Sequence, residues 1–85
     1  MNEVQHLELT NRRKLRVGAE RCRVWSLYNR GPNTVLVTSN TVTHSVDTYP
    51  VAPGCIKGFY TRPTVQLLDS GSAFITIVSY DTEQS

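Results

Sequence analysis

The sequence is poor in cysteine, and its two cysteines lie far apart. Cys22 and Cys55 form no C-x-x-C motif, and with His6 and His44 they match no zinc-ligand spacing. This spacing excludes a disulfide framework and argues against a metal centre. We expect two small buried thiols. A single Cys22–Cys55 bridge stays open, because pairing depends on proximity in space.

Long apolar runs are also lacking. No stretch approaches the roughly 18 apolar residues of a membrane span, and the N-terminus carries no apolar signal segment. The sequence therefore predicts a chain that is made in the cytoplasm and does not enter the membrane.

Groupings typical of catalysis are missing as well. No nucleophile stands beside a base and no carboxylates are paired by motif, as acid–base or covalent chemistry requires. Asp47, Asp69 and Asp81 each lie beside turn-forming residues, where Asp caps backbone amides. We expect a protein that is not an enzyme and that needs no cofactor.

What the chain does contain is a series of short β-forming runs. Runs rich in β-branched and aromatic residues are separated by turn formers about every eight to twelve residues, without an amphipathic helix pattern. This spacing predicts an all-β fold, a small antiparallel, jelly-roll-like β-sandwich of six to eight short strands. At 85 residues the core is small. We therefore expect a homo-oligomer, first of all a trimer, that covers exposed strand edges.

Pairing can be predicted from the turns. Residues 21–28 and 34–38 are predicted to form a hairpin whose first strand is covered on both faces, and residues 64–68 and 73–80 a terminal hairpin. Residues 41–46 are a predicted polar strand, followed by a turn at 47–48 and a crossing loop with a type II turn at Pro53-Gly54. Gly58 is a candidate β-bulge. The predicted core comprises Val24, Trp25, Tyr28, Val35, Val37, Val65, Leu67, Phe74, Ile75, Ile77 and Val78.

Positive charge is concentrated near the N-terminus, although the net charge is only +2. Six of the nine basic residues lie within positions 12–23, which favours docking onto an acidic partner or, equally, a solvated strand edge. We divide the single domain into a basic N-terminal arm with an edge strand, residues 1–20, and a sandwich core, residues 21–85. The predicted partner-binding residues are Arg12, Arg13, Lys14 and Arg16.

The order of several short motifs is familiar. A strand ends in Tyr28-Asn29, Gly31 follows, then Asn33-Thr34-Val35-Leu36-Val37, then Val51-Ala52-Pro53-Gly54, and a closing strand follows Ser70-Gly71. Over about residues 21–80 this order resembles small virion-associated β-sandwich proteins of tailed bacteriophages. The resemblance implies a structural virion protein, a capsid decoration or cement protein that binds the major capsid protein or other virion proteins and stabilises the head shell.

Two other functions remain open. Proteins with this pattern also serve as tail, neck or head-fibre accessories, which could contact the host surface or its glycans through Tyr49 and Tyr60. An OB-like module for single-stranded nucleic acid would need an exposed aromatic platform, for which Trp25, Phe59 and Tyr60 are the candidates. The small net charge and the hydrophobic surroundings of Trp25 argue against nucleic acid.

Overall fold

The computed structural model of the chain describes residues 2–41 and 45–80, and these form eight β-strands and no helix. The strands are β1 (Glu3–Leu9), β2 (Leu15–Arg16), β3 (Val24–Pro32), β4 (Val35–Ser39), β5 (Asp47–Val51), β6 (Ile56–Phe59), β7 (Thr64–Leu67) and β8 (Ala73–Tyr80). None of the described residues belongs to a helix long and apolar enough to cross a membrane.

Two antiparallel four-stranded sheets make up the fold. Sheet A has the order β1-β8-β3-β6 and sheet B the order β2-β7-β4-β5. This order of eight strands is that of a jelly roll. The predicted all-β, jelly-roll-like sandwich is therefore confirmed.

The core lies between the two sheets because alternate residues of each strand point inward. Sheet A contributes Leu27, Phe59, Ile75 and Ile77, among others, and sheet B contributes Val35, Val37, Val51, Val65 and Leu67. Most of the predicted core is buried as expected, including Trp25, which is only 4% exposed.

Four predicted core residues point the other way. Tyr28 and Phe74 are exposed, and Val24 and Val78 are half-buried on the outer side of sheet A. The prediction was wrong for these residues because a run of apolar residues does not reveal which alternate set faces inward. Six buried apolar residues were not predicted, which are Leu9, Val17, Leu27, Val51, Phe59 and Ala73.

Both predicted hairpins were wrong. β3 belongs to sheet A and β4 to sheet B, and β7 and β8 are divided in the same way. The turns at 33–34 and 68–72 therefore carry the chain from one sheet to the other. Strand β3 is central, as predicted, but it is buried on one face only, since Trp25, Leu27 and Asn29 are buried and Tyr28 is exposed.

Among the described strands, β4 and β5 are the consecutive pair that forms a hairpin. These strands pair directly from Val35–Val51 to Ser39–Asp47. The sequence had predicted a turn and a crossing loop here, partly because of Pro50. β5 is an edge strand of sheet B, where a proline can be tolerated because one side of the strand needs no partner. Residues 42–44 of the predicted polar strand lie outside the described residues.

The predicted type II turn is present, whereas the predicted β-bulge is not. The amide of Cys55 donates to the carbonyl of Ala52 at 3.0 Å, and Gly54 has φ 86°, so the type II turn at Pro53-Gly54 is confirmed. Gly58 pairs with Ser26 in regular register and forms no bulge. The irregularity lies instead at Arg30, where the register with β8 shifts between Asn29 and Gly31.

Candidate docking surfaces

The predicted partner-binding residues divide between a loop and a strand. Arg12, Arg13 and Lys14 lie in the loop of residues 10–14, which connects β1 to β2, and Arg16 is in β2. All four side chains are exposed. We call residues 10–14 the basic loop. Arg16 pairs with Thr64 and faces outward from sheet B.

The backbone of the basic loop is held by side-chain hydrogen bonds. The amide of Arg13 donates to Asn11 Oδ1 at 2.9 Å, and Gln66 Nε2 donates to the carbonyl of Arg12 at 3.2 Å. Arg62 and Glu20 form an ion pair at 3.6 Å away from this loop, and no carboxylate of residues 2–41 and 45–80 pairs with Arg12, Arg13 or Lys14. The basic side chains of the loop therefore have no internal carboxylate partner in the part of the chain described, and their charge is directed to solvent.

The structure separates the rest of the basic run from this loop. Residues 21–23 lie beside Tyr80 at the opposite end of the sandwich, since the amide of Arg23 donates to the carbonyl of Tyr80. Arg30 was not predicted to take part, yet the exposed bulge at this residue lies at the same end as the basic loop. Spacing in sequence gave no indication of this, because residues 12 and 30 are brought to one end only by the jelly-roll order.

Strand β1 also changes the predicted N-terminal arm. Residues Glu3–Leu9 pair with β8 over seven successive positions, from Glu3–Ser79 to Leu9–Ala73. The part of the predicted arm that extends beyond the sheet is therefore the basic loop and not residues Glu3–Leu9. The division into units at residue 20 stays a prediction.

A second surface was not predicted from the sequence. Outward positions of sheet A carry six apolar side chains beside polar ones such as Ser26 and Thr76, and we call the apolar set the outer face. Val4 is 58% exposed, Ile56 68%, Phe74 43% and Tyr28 38%. Val24 and Val78 lie between them. These outer-face residues are Val4, Val24, Tyr28, Ile56, Phe74 and Val78.

The register shows that these side chains are neighbours. Val4 lies opposite Val78, and Tyr28 lies between Thr76 of β8 and Ile56 of β6. His6 and Glu8 of β1 are the ionisable side chains at the β1 side of this surface. The outward positions of sheet B are more polar, with Thr38 between Thr48 and Thr64. The two sides of the sandwich therefore differ in the partners that they suit.

A buried asparagine holds together the loops at the end that carries the basic loop. Asn29 is fully buried, and its Nδ2 donates to the carbonyls of Asn33 and Val51, both at 2.8 Å. Its Oδ1 accepts from the amide of Gly31 at 2.7 Å, and its carbonyl accepts from the amide of Gly54 at 2.6 Å. Asn29 therefore fixes the β3–β4 and β5–β6 connections with respect to each other.

Asn33 extends this network to the β7–β8 connection. Its Nδ2 donates to the carbonyl of Ser72 at 2.7 Å. A Cβ at Gly71 would lie 2.6 Å from that same nitrogen, and Gly71 has φ 120°, so this position favours glycine. The Asn29, Gly31 and Asn33 motif that carries the resemblance thus has a structural role in shaping the loops.

The aromatic platform proposed for nucleic acid is not present. Trp25 is 4% exposed and Phe59 fully buried, and Trp25 Nε1 donates to the carbonyl of Ala19 at 3.0 Å. The fold is also a two-sheet jelly roll rather than a five-stranded OB barrel. Of the glycan-binding candidates, Tyr60 is exposed, whereas Tyr49 packs against Phe59 with Lys57 Nζ 5.3 Å from its ring centre.

Both cysteines are free, so the possible Cys22–Cys55 disulfide is not formed. Cys22 is half-buried against the core, but Cys55 is exposed, contrary to the expected burial. It follows the type II turn, where its amide is used and its side chain is left in solvent. Among the residues that the structure describes, no three His, Cys, Asp or Glu side chains are grouped so as to hold a metal ion.

One open depression lies beside the edge of β1. It has a volume of about 120 Å³ and is lined by Glu8, Leu9, Thr10, Asn11, Arg13 and Leu15. Leu15 is 43% exposed, so the floor is partly apolar while Arg13 adds a positive charge. The depression is suited to one side chain of a partner and not to a bound cofactor.

Comparison of the chain with protein-family models, with curated proteins and with solved structures finds no match in any of the three.

Proposed function

We propose that this chain is a structural virion protein that decorates the head shell of a tailed bacteriophage and stabilises it by binding the major capsid protein. The apolar outer face is the observation that carries this proposal. Such a face on an 85-residue domain suits a protein partner rather than a small substrate. The jelly-roll order, which is frequent in viral capsid proteins, and the resemblance of the loop motifs support the same class.

The outer face would supply most of the affinity. Full burial of an exposed apolar side chain of this size contributes roughly 1.5–3 kcal/mol. Val4, Ile56 and Phe74 are 43–68% exposed, so each would contribute about half of that when a partner covers it. Sheet A presents these side chains on regular strands, so little conformational entropy is lost when a partner covers them.

The basic loop would orient the protein on the shell and increase the rate at which it associates. Each exposed ion pair contributes only about 0–1 kcal/mol, so the effect belongs to the group and not to one residue. Acidic side chains on the shell would attract the loop over about 10 Å at 0.1 M salt. A shell surface with an apolar patch beside carboxylates is therefore the complementary partner.

Binding to purified particles that lack this protein tests the proposal. We expect the quadruple variant Arg12→Ser, Arg13→Ser, Lys14→Ser and Arg16→Ser to lose roughly tenfold in affinity at low salt and much less at high salt. The double variant Ile56→Ser and Phe74→Ser should lose more, at both salt concentrations, because its lost contribution is hydrophobic. Co-sedimentation with particles measures both.

Val46→Ser is the matched control for the outer-face variant. Val46 is 60% exposed, similar to Ile56, but it lies outside sheet A in the connection before β5. Its replacement should leave attachment unchanged. If the outer-face variant attaches as well as the Val46→Ser control, the outer face is not the dock and the proposal fails.

Imaging of labelled protein on whole particles shows whether the protein binds over the whole head or at a single vertex. Density over the whole head supports decoration of the shell. Density at a single vertex would replace the proposal with a neck, tail or head-fibre role, and retardation of nucleic acid that weakens steeply with salt would replace it with nucleic-acid binding.

A further inference from the structure

Strand β1 has a long edge that no other described strand covers. The described sheets have four edge strands, and three of them are shielded in ways that prevent pairing with other chains. β2 has only two residues, β5 contains Pro50, and β6 has four residues that include Gly58. By contrast, β1 has seven residues without proline, glycine, lysine or arginine, and it has no strand on its second side among the described residues. Its charged residues are Glu3 on the inward side and Glu8 on the outward side.

We propose that β1 pairs with β1 of a second copy of this chain, antiparallel and centred on His6. The two A sheets would then form one sheet of eight strands. This inference does not depend on the virion proposal, since it concerns the edge of sheet A. The two proposals share Arg13, so light scattering without particles tests this one separately.

The length of β1 fixes the register. Directly opposed residues of an antiparallel pair point to the same side, so a two-fold pairing must be centred on a residue of β1. The centre at His6 is the one that pairs all seven residues from Glu3 to Leu9. A shift of the centre to Gln5 or Leu7 leaves two residues at one end unpaired.

Charge complementarity supports a second copy as the partner. In this register Glu3 of one copy lies opposite Leu9 of the other, on the inward side. Leu9 lines the depression that also contains Arg13, so the Glu3 carboxylate would arrive beside the Arg13 guanidinium. Because of the two-fold axis, the interface contains two such Glu3–Arg13 pairs.

On the outward side of the same register, His6 of one copy lies opposite His6 of the other. Glu8 of each copy lies opposite Val4 of the other, and no carboxylate faces a carboxylate. The interface is therefore self-complementary, as a two-fold interface requires. Because a two-fold axis closes after two copies, it gives a dimer and not the trimer expected from the sequence.

Disulfide trapping tests the register. In a background of Cys22→Ser and Cys55→Ser, the variant His6→Cys places two thiols directly opposite each other. Opposed residues have Cα atoms about 5 Å apart, within the range that a disulfide accepts. Mild oxidation should therefore give a covalent dimer on a non-reducing gel.

Glu8→Cys in the same background is the matched control. It lies on the same strand and the same side, but its two copies would be four residues apart along the strands, about 13 Å. It should not cross-link with itself, whereas a mixture of Val4→Cys and Glu8→Cys chains should form the mixed dimer. Equal cross-linking of His6→Cys and Glu8→Cys would overturn the register.

A charge exchange tests the pairing without cysteine. Glu3→Arg should raise the dissociation constant of the dimer about five- to tenfold, and the addition of Arg13→Glu should restore it. Light scattering of the unaltered chain should show a dimer. A monomer at the highest soluble concentration, or a trimer, would overturn the proposal whatever the result of particle binding.

Discussion

At the residue scale, Asn29 has the most demanding position in the molecule. It is a fully buried polar side chain in a sheet whose other inward positions are mainly apolar, and both its amide nitrogen and its oxygen have partners. A buried polar group is tolerated when its hydrogen bonds are made and costly when they are removed. Its side chain satisfies three backbone groups, which are the carbonyls of Asn33 and Val51 and the amide of Gly31.

We therefore predict that Asn29→Ala lowers the free energy of unfolding by about 3 kcal/mol, because buried backbone groups lose their partner. Urea denaturation followed by circular dichroism measures the change. Asn11→Ala is the control, since Asn11 is exposed and its side chain accepts one bond in the basic loop. That variant should stay within about 0.5 kcal/mol of the unaltered protein. Equal stability of the two variants would show that the Asn29 network does not stabilise the fold.

The sequence identified Asn29 by resemblance but not by physical role. Its N-x-G context predicts a local turn. The hydrogen bond from the Gly31 amide to Asn29 Oδ1 closes that turn. The bonds to Val51 and from Gly54 are long-range, so no local pattern could indicate them. Trp25 is the opposite case, because its hydrophobic neighbours were enough to predict burial.

At the element scale, the sequence predicts strands better than it predicts their partners. β-branched and aromatic runs located β3, β4, β7 and β8, and the charged edge strand β2 was anticipated as well. Pairing failed because short turns favour hairpins in isolation. In a jelly roll most connections cross between sheets, so hairpin rules apply among the described strands only to β4 and β5. The outer face was missed for a related reason, since it depends on which residues of β8 point outward.

The pairing of β1 gives a prediction for the N-terminal segment. Deletion of residues 1–9 should unfold the domain, because it exposes the edge of β8 and removes buried Leu9 and half-buried Leu7 from the core. Amide NMR spectra and circular dichroism of the truncated chain measure this loss. The quadruple serine variant of residues 12–16 is the control that should keep the native spectrum. A truncated chain with a native spectrum would mean that the fold does not need β1.

At the scale of the whole molecule, the two sheets depend on a single core. Val35 and Val65 of sheet B are fully buried against sheet A, as are Leu27 and Ile77 of sheet A against sheet B. Neither sheet could bury its inward apolar side alone, because each sheet covers the inward side of the other. The sheets should therefore fold and unfold together.

We predict one cooperative unfolding transition at fixed protein concentration. Trp25 is the only tryptophan, and it is buried in sheet A, so its fluorescence reports on that sheet while far-UV circular dichroism reports on both. The two urea curves should coincide, with a slope of about 1 kcal/mol per M, near the lower end for small domains. Separate curves would mean that sheet B or the N-terminal segment unfolds independently. The midpoint should also rise with protein concentration if β1 pairs between copies, because association stabilises the folded chain by mass action.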